Sequence, residues 1–193
     1  MKKNPSKLLI TLSLLVLLPG LASAHILLGT SHGFKEGFLH PLTGWDHLLA
    51  MFAVGLWAAQ HRGRAMWLIP SSFVSVMVLG GMLGLAGVGL PGADLVIALS
   101  VLALGGLVAT MTRFRPSLSM TVVGLFALFH GYAHGHEMPA AAGALTFSIG
   151  FVLSTALLHG LGIAAGLGLR RQPRVLRWAG AAIAASSFCF FVG

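Results

Sequence analysis

Apolar residues do not alternate along this chain; they come in long runs, broken by short polar turns. After the first two dozen positions, six runs follow, near 37–59, 67–87, 93–112, 118–137, 143–168 and 175–192. Each is about 18–26 residues, the length a helix needs to cross a bilayer. Helices are required there, because every backbone amide inside hydrocarbon must find its partner within the segment. The turns between them, "HRGR", "VGLPG", "RFRP", "EMP" and "RRQPR", carry the Pro, Gly and Arg that end helices. The pattern predicts an all-α, polytopic membrane helix bundle of six spans, with no soluble domain and no linker.

The first 24 residues read differently. Lys2, Lys3 and Lys7 make a basic head, residues 8–18 ("LLITLSLLVLL") a short apolar core, Pro19-Gly20 a break, and Ala22-Ser23-Ala24 a small-residue cleavage site. This is the pattern of a secretory signal peptide. The expected domains are therefore 1–24, a cleaved signal, and 25–193, a single transmembrane unit whose mature chain starts at His25 outside the cytoplasm.

Composition agrees with a bilayer: of 193 residues, 56% are hydrophobic and only 8% charged, against about a quarter charged in soluble domains. The 26 glycines suit close helix approach in lipid. A net charge of +8 is no nucleic-acid signal once its placement is read. Arg62, Arg64, Arg113, Arg115, Arg170, Arg171, Arg174 and Arg177 fall in or beside alternate turns, while the other turns and the mature N-terminus hold only Lys35. By the positive-inside rule the arginine turns are cytoplasmic and both mature termini periplasmic, in a bacterial inner membrane. The one cysteine, Cys189, reads as a packing residue.

Polar chemistry is sparse and gathered. The four acids, Glu36, Asp46, Asp94 and Glu137, lie in spans or at their periplasmic ends, and of nine histidines only His61 sits in a cytoplasmic turn. In the first run, "HPLTGWDH" places His40, Asp46 and His47. On a continuous helix His40 and His47 fall nearly in line two turns apart, with Asp46 about 100° from His47. In the fourth, "FHGYAHGHE" sets His130, His134 and Glu137 at i, i+4 and i+7, a single stripe, with His136 off it and Gly131 and Gly135 clearing space beside it. Rise per residue puts Asp46 and His47 roughly 12–15 Å, and His130 roughly 10 Å, below the periplasmic helix ends, with His159 roughly 20–24 Å down. His40, His134 and Glu137 then form an outer tier, Asp46, His47 and His130 an inner one. A mid-membrane charge costs about 2.5–3.5 kcal/mol, so a chain that clusters such groups on two helices is using them. Neutral imidazole with carboxylate suits a late first-row divalent cation. Met51 and Met138 offer thioether sulfur nearby, although packing explains such methionines too. A His–Asp hydrogen bond between helices, an intramembrane metal-dependent hydrolase and a haem b electron carrier ligated by His47 and His130 remain the alternatives.

At these residues the chain resembles the HupE/UreJ nickel permeases, accessory to hydrogenase and urease. "HPLTGWDH" is similar to the family's His-x5-Asp-His signature in its first mature helix, and "FHGYAHGHE" to the second signature in its fourth; "LAMFAVGLWA" and "LPGAD" extend the likeness over nearly the whole mature chain. The resemblance implies inward transport of Ni²⁺, with Co²⁺ as the alternative, by a non-enzymatic secondary permease without a prosthetic group. It implies that His40, Asp46, His47, His130, His134 and Glu137 recognise or pass the metal. Asp94 stands where the family more often has Glu, and His25 and His32 look like its periplasmic histidines. His136 and His159 are further candidates. No Walker motif is present for ATP hydrolysis. Because protonated imidazole cannot ligate, uptake is expected to fall as pH drops through about 6.5.

Overall fold

The computed structural model describes residues 33–138 and 143–192. The expected signal segment, His25 and His32 lie outside the described residues, as does the side chain of Glu137. Among the described residues the chain is helical throughout: α1 (Phe34–Thr43), α2 (Trp45–Gln60), α3 (Ala65–Leu85), α4 (Ala93–Thr110), α5 (Pro116–Glu137), α6 (Ala144–Gly168), α7 (Pro173–Ser186) and α8 (Phe188–Val192). Four helices are long and apolar enough to cross a membrane: Ala65–Leu85, Ala93–Thr110, Pro116–His136 within α5, and Ala144–Gly168. They correspond to the second to fifth runs of the sequence. The first and last runs are each divided, into α1–α2 and α7–α8.

The division of the first run corrects the expectation of one helix over 37–59. Helix α1 starts earlier, at Phe34, where the Gly33 N–H donates to Glu36 Oε2 at 2.9 Å. This meets one of the donors that a helix start leaves without a partner. Pro41 lies inside α1, not in the first turn of a longer helix. Its ring removes an amide from the ladder. The chain then leaves helical geometry at Gly44, whose φ −83° and ψ 113° are extended, and α2 begins afresh at Trp45. His40 and His47 therefore belong to two helices and are not in line on one.

Close packing between helices uses glycine. Gly80 and Gly84 of α3 press on the backbone of α5 at Leu128, Tyr132 and Gly135, Gly131 and Gly135 of α5 press on that of α3 at Met77 and Gly81, and a Cβ at Gly131 would overlap the Met77 carbonyl. Gly55 of α2 and Gly162 of α6 face each other in the same way. Lipid provides no hydrophobic drive for helix association, so backbone approach and dispersion must supply it. The space beside His130 and His134 is thus filled by α3. Towards the arginine turns, the far end of α2 is tied down by side chains. Trp57 Nε1–H donates to the Thr112 carbonyl at 2.7 Å, and Gln60 Nε2–H to that of Val108 at 3.1 Å. Around this frame a buried core runs through Met51, Val54, Trp57, Phe73, Val101, Leu104 and Val123.

Candidate metal site

The break at Gly44 presents the end of one helix and the start of another beside α5. Asp46 lies in the first turn of α2, where a carboxylate is favoured by the helix dipole. Its Oδ1 accepts from the His47 backbone N–H at 2.8 Å and stands 2.7 Å from His47 Nδ1. The two side chains thus fold together and do not diverge by 100° as helical spacing suggested. A carboxylate can only accept, so His47 Nδ1 carries the proton and Nε2 presents a lone pair. This carboxylate–imidazole brace is the support that metal-binding histidines ordinarily have.

Helix α5 supplies the opposite wall. His134 Nε2 is 2.7 Å from His47 Nε2, and with the His47 lone pair facing it the His134 Nε2–H is the donor. His130, fully buried, directs Nδ1 to the Phe126 carbonyl at 2.9 Å. That N–H donation fixes the tautomer and leaves the Nε2 lone pair free of any hydrogen bond among the described residues. The His47 and His130 rings meet nearly at right angles with centroids 5.2 Å apart. His40, from the last turn of α1, sits 4.5 Å from His134 and 6.0 Å from His47.

Four of the six residues expected to carry the site, His40, His47, His130 and His134, are therefore in one cluster, with Asp46 bracing it. Glu137 ends α5, beyond what the described side chains cover. The two tiers anticipated from depth merge, because His134 touches both His40 and His47. Among the described residues no three His, Cys, Asp or Glu side chains are posed together as a closed metal site; His47 and His134 are instead hydrogen-bonded to each other. Two imidazole nitrogens on one metal would each lie about 2.0–2.1 Å from it, so that bond must open and the His134 proton leave Nε2 before both can ligate. The edge-on approach of His47 to His130 leaves no gap between them for a haem.

Other candidates fall elsewhere. Asp94 is exposed in the first turn of α4. His136 is exposed and stacks on Tyr132, with centroids 5.6 Å apart. His159 is buried on α6, below the cluster on the side of the arginine turns. Met138 lines a small cavity of about 50 Å³ next to His134, and Met51 accepts a hydrogen bond from Thr155. Residue-by-residue reading missed the walls. Phe151 lies 4.5 Å from the His134 ring and Phe147 6.0 Å from that of His40. The spacing of Phe147, Phe151, Thr155 and His159, four residues apart each time, marks that face of α6 in the sequence.

Known proteins bear on this arrangement. A family described as HupE / UreJ protein matches residues 12–190. Protein HupE of Rhizobium leguminosarum bv. viciae is 43% identical over 190 residues, covering 97% of this chain and 98% of the relative. No solved structure matches the chain. The match spans both histidine signatures and helices α1 to α7, and the chain belongs to the HupE/UreJ family.

Proposed function

We propose that this protein is a secondary permease that carries Ni²⁺, with Co²⁺ as the next candidate, across the bacterial inner membrane into the cytoplasm, for hydrogenase or urease maturation. Family membership supports a hydrogenase- or urease-associated permease role in general. The observation that carries the specific reading is the pair of lone pairs at His47 Nε2 and His130 Nε2. They stand on two different helices, one braced by Asp46 and the other by the Phe126 carbonyl. Neutral nitrogen donors with a nearby carboxylate suit a late first-row divalent ion.

In this reading α1–α2 and α7–α8 are crossings too. That makes six after a cleaved signal, with the arginine turns in the cytoplasm and the mature termini in the periplasm. A helix interrupted within the membrane is where transporters place ion sites, since the free carbonyl end of one half attracts a cation. Here that end is α1, whose last turn carries His40. A cation entering at His40 meets His134, opens the His47–His134 bond, and is shared by His47, His130 and His134. A set of donors that is not closed in advance releases its ion as readily as it takes it, which conduction requires. Glu137 and Asp94 act at the periplasmic mouth, raising the local cation concentration, and His25, His32 and His136 offer capture groups there. Inward movement of a divalent ion gains about 4.6 kcal/mol per 100 mV of membrane potential, so the chain needs no ATP site.

The deciding measurement is radioactive nickel uptake in cells that lack their own importers, with wild type, His47→Ala and His130→Ala at equal membrane abundance. Accumulation by wild type and by neither variant is the expected result. No accumulation by wild type ends the proposal.

A further inference from the structure

Below the histidine cluster, towards the arginine turns, α6 carries polar groups that the reading above leaves unused. Thr155 and His159 are one turn apart on the same face and both are buried, His159 to 2% exposure. Facing them, one turn apart on α3, are Met77 and Phe73. Thr155 Oγ1–H donates to Met51 Sδ at 3.3 Å and lies 3.8 Å from Met77 Sδ.

Neither ring nitrogen of His159 has a hydrogen-bond partner among the described residues. A neutral imidazole holds one N–H and one lone pair, and burying both unmet within a membrane helix is among the least favourable placements available to it. A histidine kept for packing looks different. His61 in this same chain pairs Nδ1 with the Trp57 carbonyl and Nε2 with Ser119 Oγ, each at 3.1 Å. His159 also borders a groove of about 390 Å³ between α3 and α6 that touches Ser71 and Ser75. One side chain touches both His159 and the outer cluster. The Phe73 ring, fully buried, lies 5.7 Å from the His130 ring and 5.1 Å from that of His159.

We propose that His159, with the Met77 thioether and the Thr155 hydroxyl, is a second, inner station for the transported divalent cation, and that Phe73 is the apolar barrier separating it from the outer cluster. The proposal rests on the permease reading. Imidazole with thioether selects the same late first-row ions as the outer site. Two weak sites in series separated by an apolar constriction allow an ion to move on without being held.

The test uses full-length protein. Purified wild type in detergent, titrated with nickel alone, is expected to take up a second ion that His159→Ala lacks, while His159→Ala keeps the ion that His47→Ala loses. In importer-deficient cells His159→Ala is expected to lower nickel uptake at least about tenfold, the loss typical when a metal site loses support. His159→Cys, which puts a thiolate at the station, is expected to raise cadmium uptake relative to nickel, a change in selectivity that a merely structural histidine does not produce. In proteoliposomes loaded with nickel, Phe73→Ala is expected to release the ion faster than wild type. If wild type binds and carries nickel but shows no second ion, or His159→Ala carries nickel at the wild-type rate, the inner station is overturned and the outer site stands. If wild type neither binds nor carries nickel, the permease reading itself has failed.

Discussion

Two of the apolar runs are interrupted, and the interruptions are not alike. At Ser187, between α7 and α8, the backbone stays in the right-handed helical region at φ −60° and ψ −28°. The Ser187 hydroxyl donates to the Ala184 carbonyl one turn back at 2.7 Å, and the Phe190 N–H reaches the Ser187 carbonyl. The chain there merely tightens by one turn. At Gly44 the backbone is extended, and His40, Asp46 and His47 stand within a few residues of the break. One interruption relieves itself locally, with its own backbone and the Ser187 hydroxyl. The other brings nitrogen and carboxylate groups from two helix ends against a third helix. The lesson is that a broken helix becomes a site only when side chains with donor atoms converge on it.

The strongest way to break this comparison is to remove the central ligand on one side and the serine on the other. His47→Ala is expected to bring nickel uptake to background. Ser187→Ala removes a single local hydrogen bond, worth about 1 kcal/mol of stability, and is expected to leave uptake per folded molecule unchanged. Comparable losses in both variants, at equal membrane abundance, would mean that the interruptions matter for folding and not for the metal.

Asp46→Asn is expected next in size. The amide keeps the shape but loses the charge, and by turning its NH₂ towards His47 it can reverse the tautomer and hide the Nε2 lone pair. Loss of such a brace typically costs about 10–100-fold in metal affinity. The check is nickel affinity of the purified variant beside its thermal stability: affinity should fall while the melting temperature stays close to that of wild type.

How much of this was legible in the sequence follows from the same contrast. The four uninterrupted helices, α3 to α6, were readable within a few residues from run length and from the Pro, Gly and Arg of the turns. The convergence of His47 with His130 was readable from depth, because rise per residue is fixed. The break at Gly44 was not read, although Pro41, Gly44 and Asp46 announce it: a proline without its amide, a residue that leaves the helix, and an acid suited to a new helix start. Run length alone hides an interruption whose flanks are equally apolar. The role of Gly131 and Gly135 was half legible, since the sequence showed room but not that α3 fills it. The contrast between a satisfied His61 and an unsatisfied His159 was not legible at all, because it depends on which carbonyls and hydroxyls the packed helices bring within reach.

Gly44→Ala sharpens the comparison at the break itself. The extended backbone there accepts any residue, so no strain in φ is expected. An added Cβ would lie 3.1 Å from Asp46 Oδ1 and 3.2 Å from His47 Nδ1. That pair must then shift by a few tenths of an ångström. Uptake is expected to fall several-fold, by less than in Asp46→Asn, with protein abundance retained. Wild-type uptake would show that the Asp46–His47 pair tolerates displacement and that its charge, not its position, is what counts.

Asp94→Asn should have the smallest effect, and it tests whether donors far from the break contribute at all. Asp94 is exposed at the start of α4, and α4 packs against α7, α2 and α5 without bringing the acid to the cluster. Its influence is confined to the field at the mouth, which raises the local cation concentration and weakens beyond about 8–10 Å at physiological salt. Uptake at limiting nickel should therefore drop by no more than about twofold. The drop should disappear both at saturating nickel and on raising the ionic strength. A loss that persists at saturating nickel would place a carboxylate from α4 on the path of the ion, and the division between a ligand-bearing break and an apolar remainder would no longer hold.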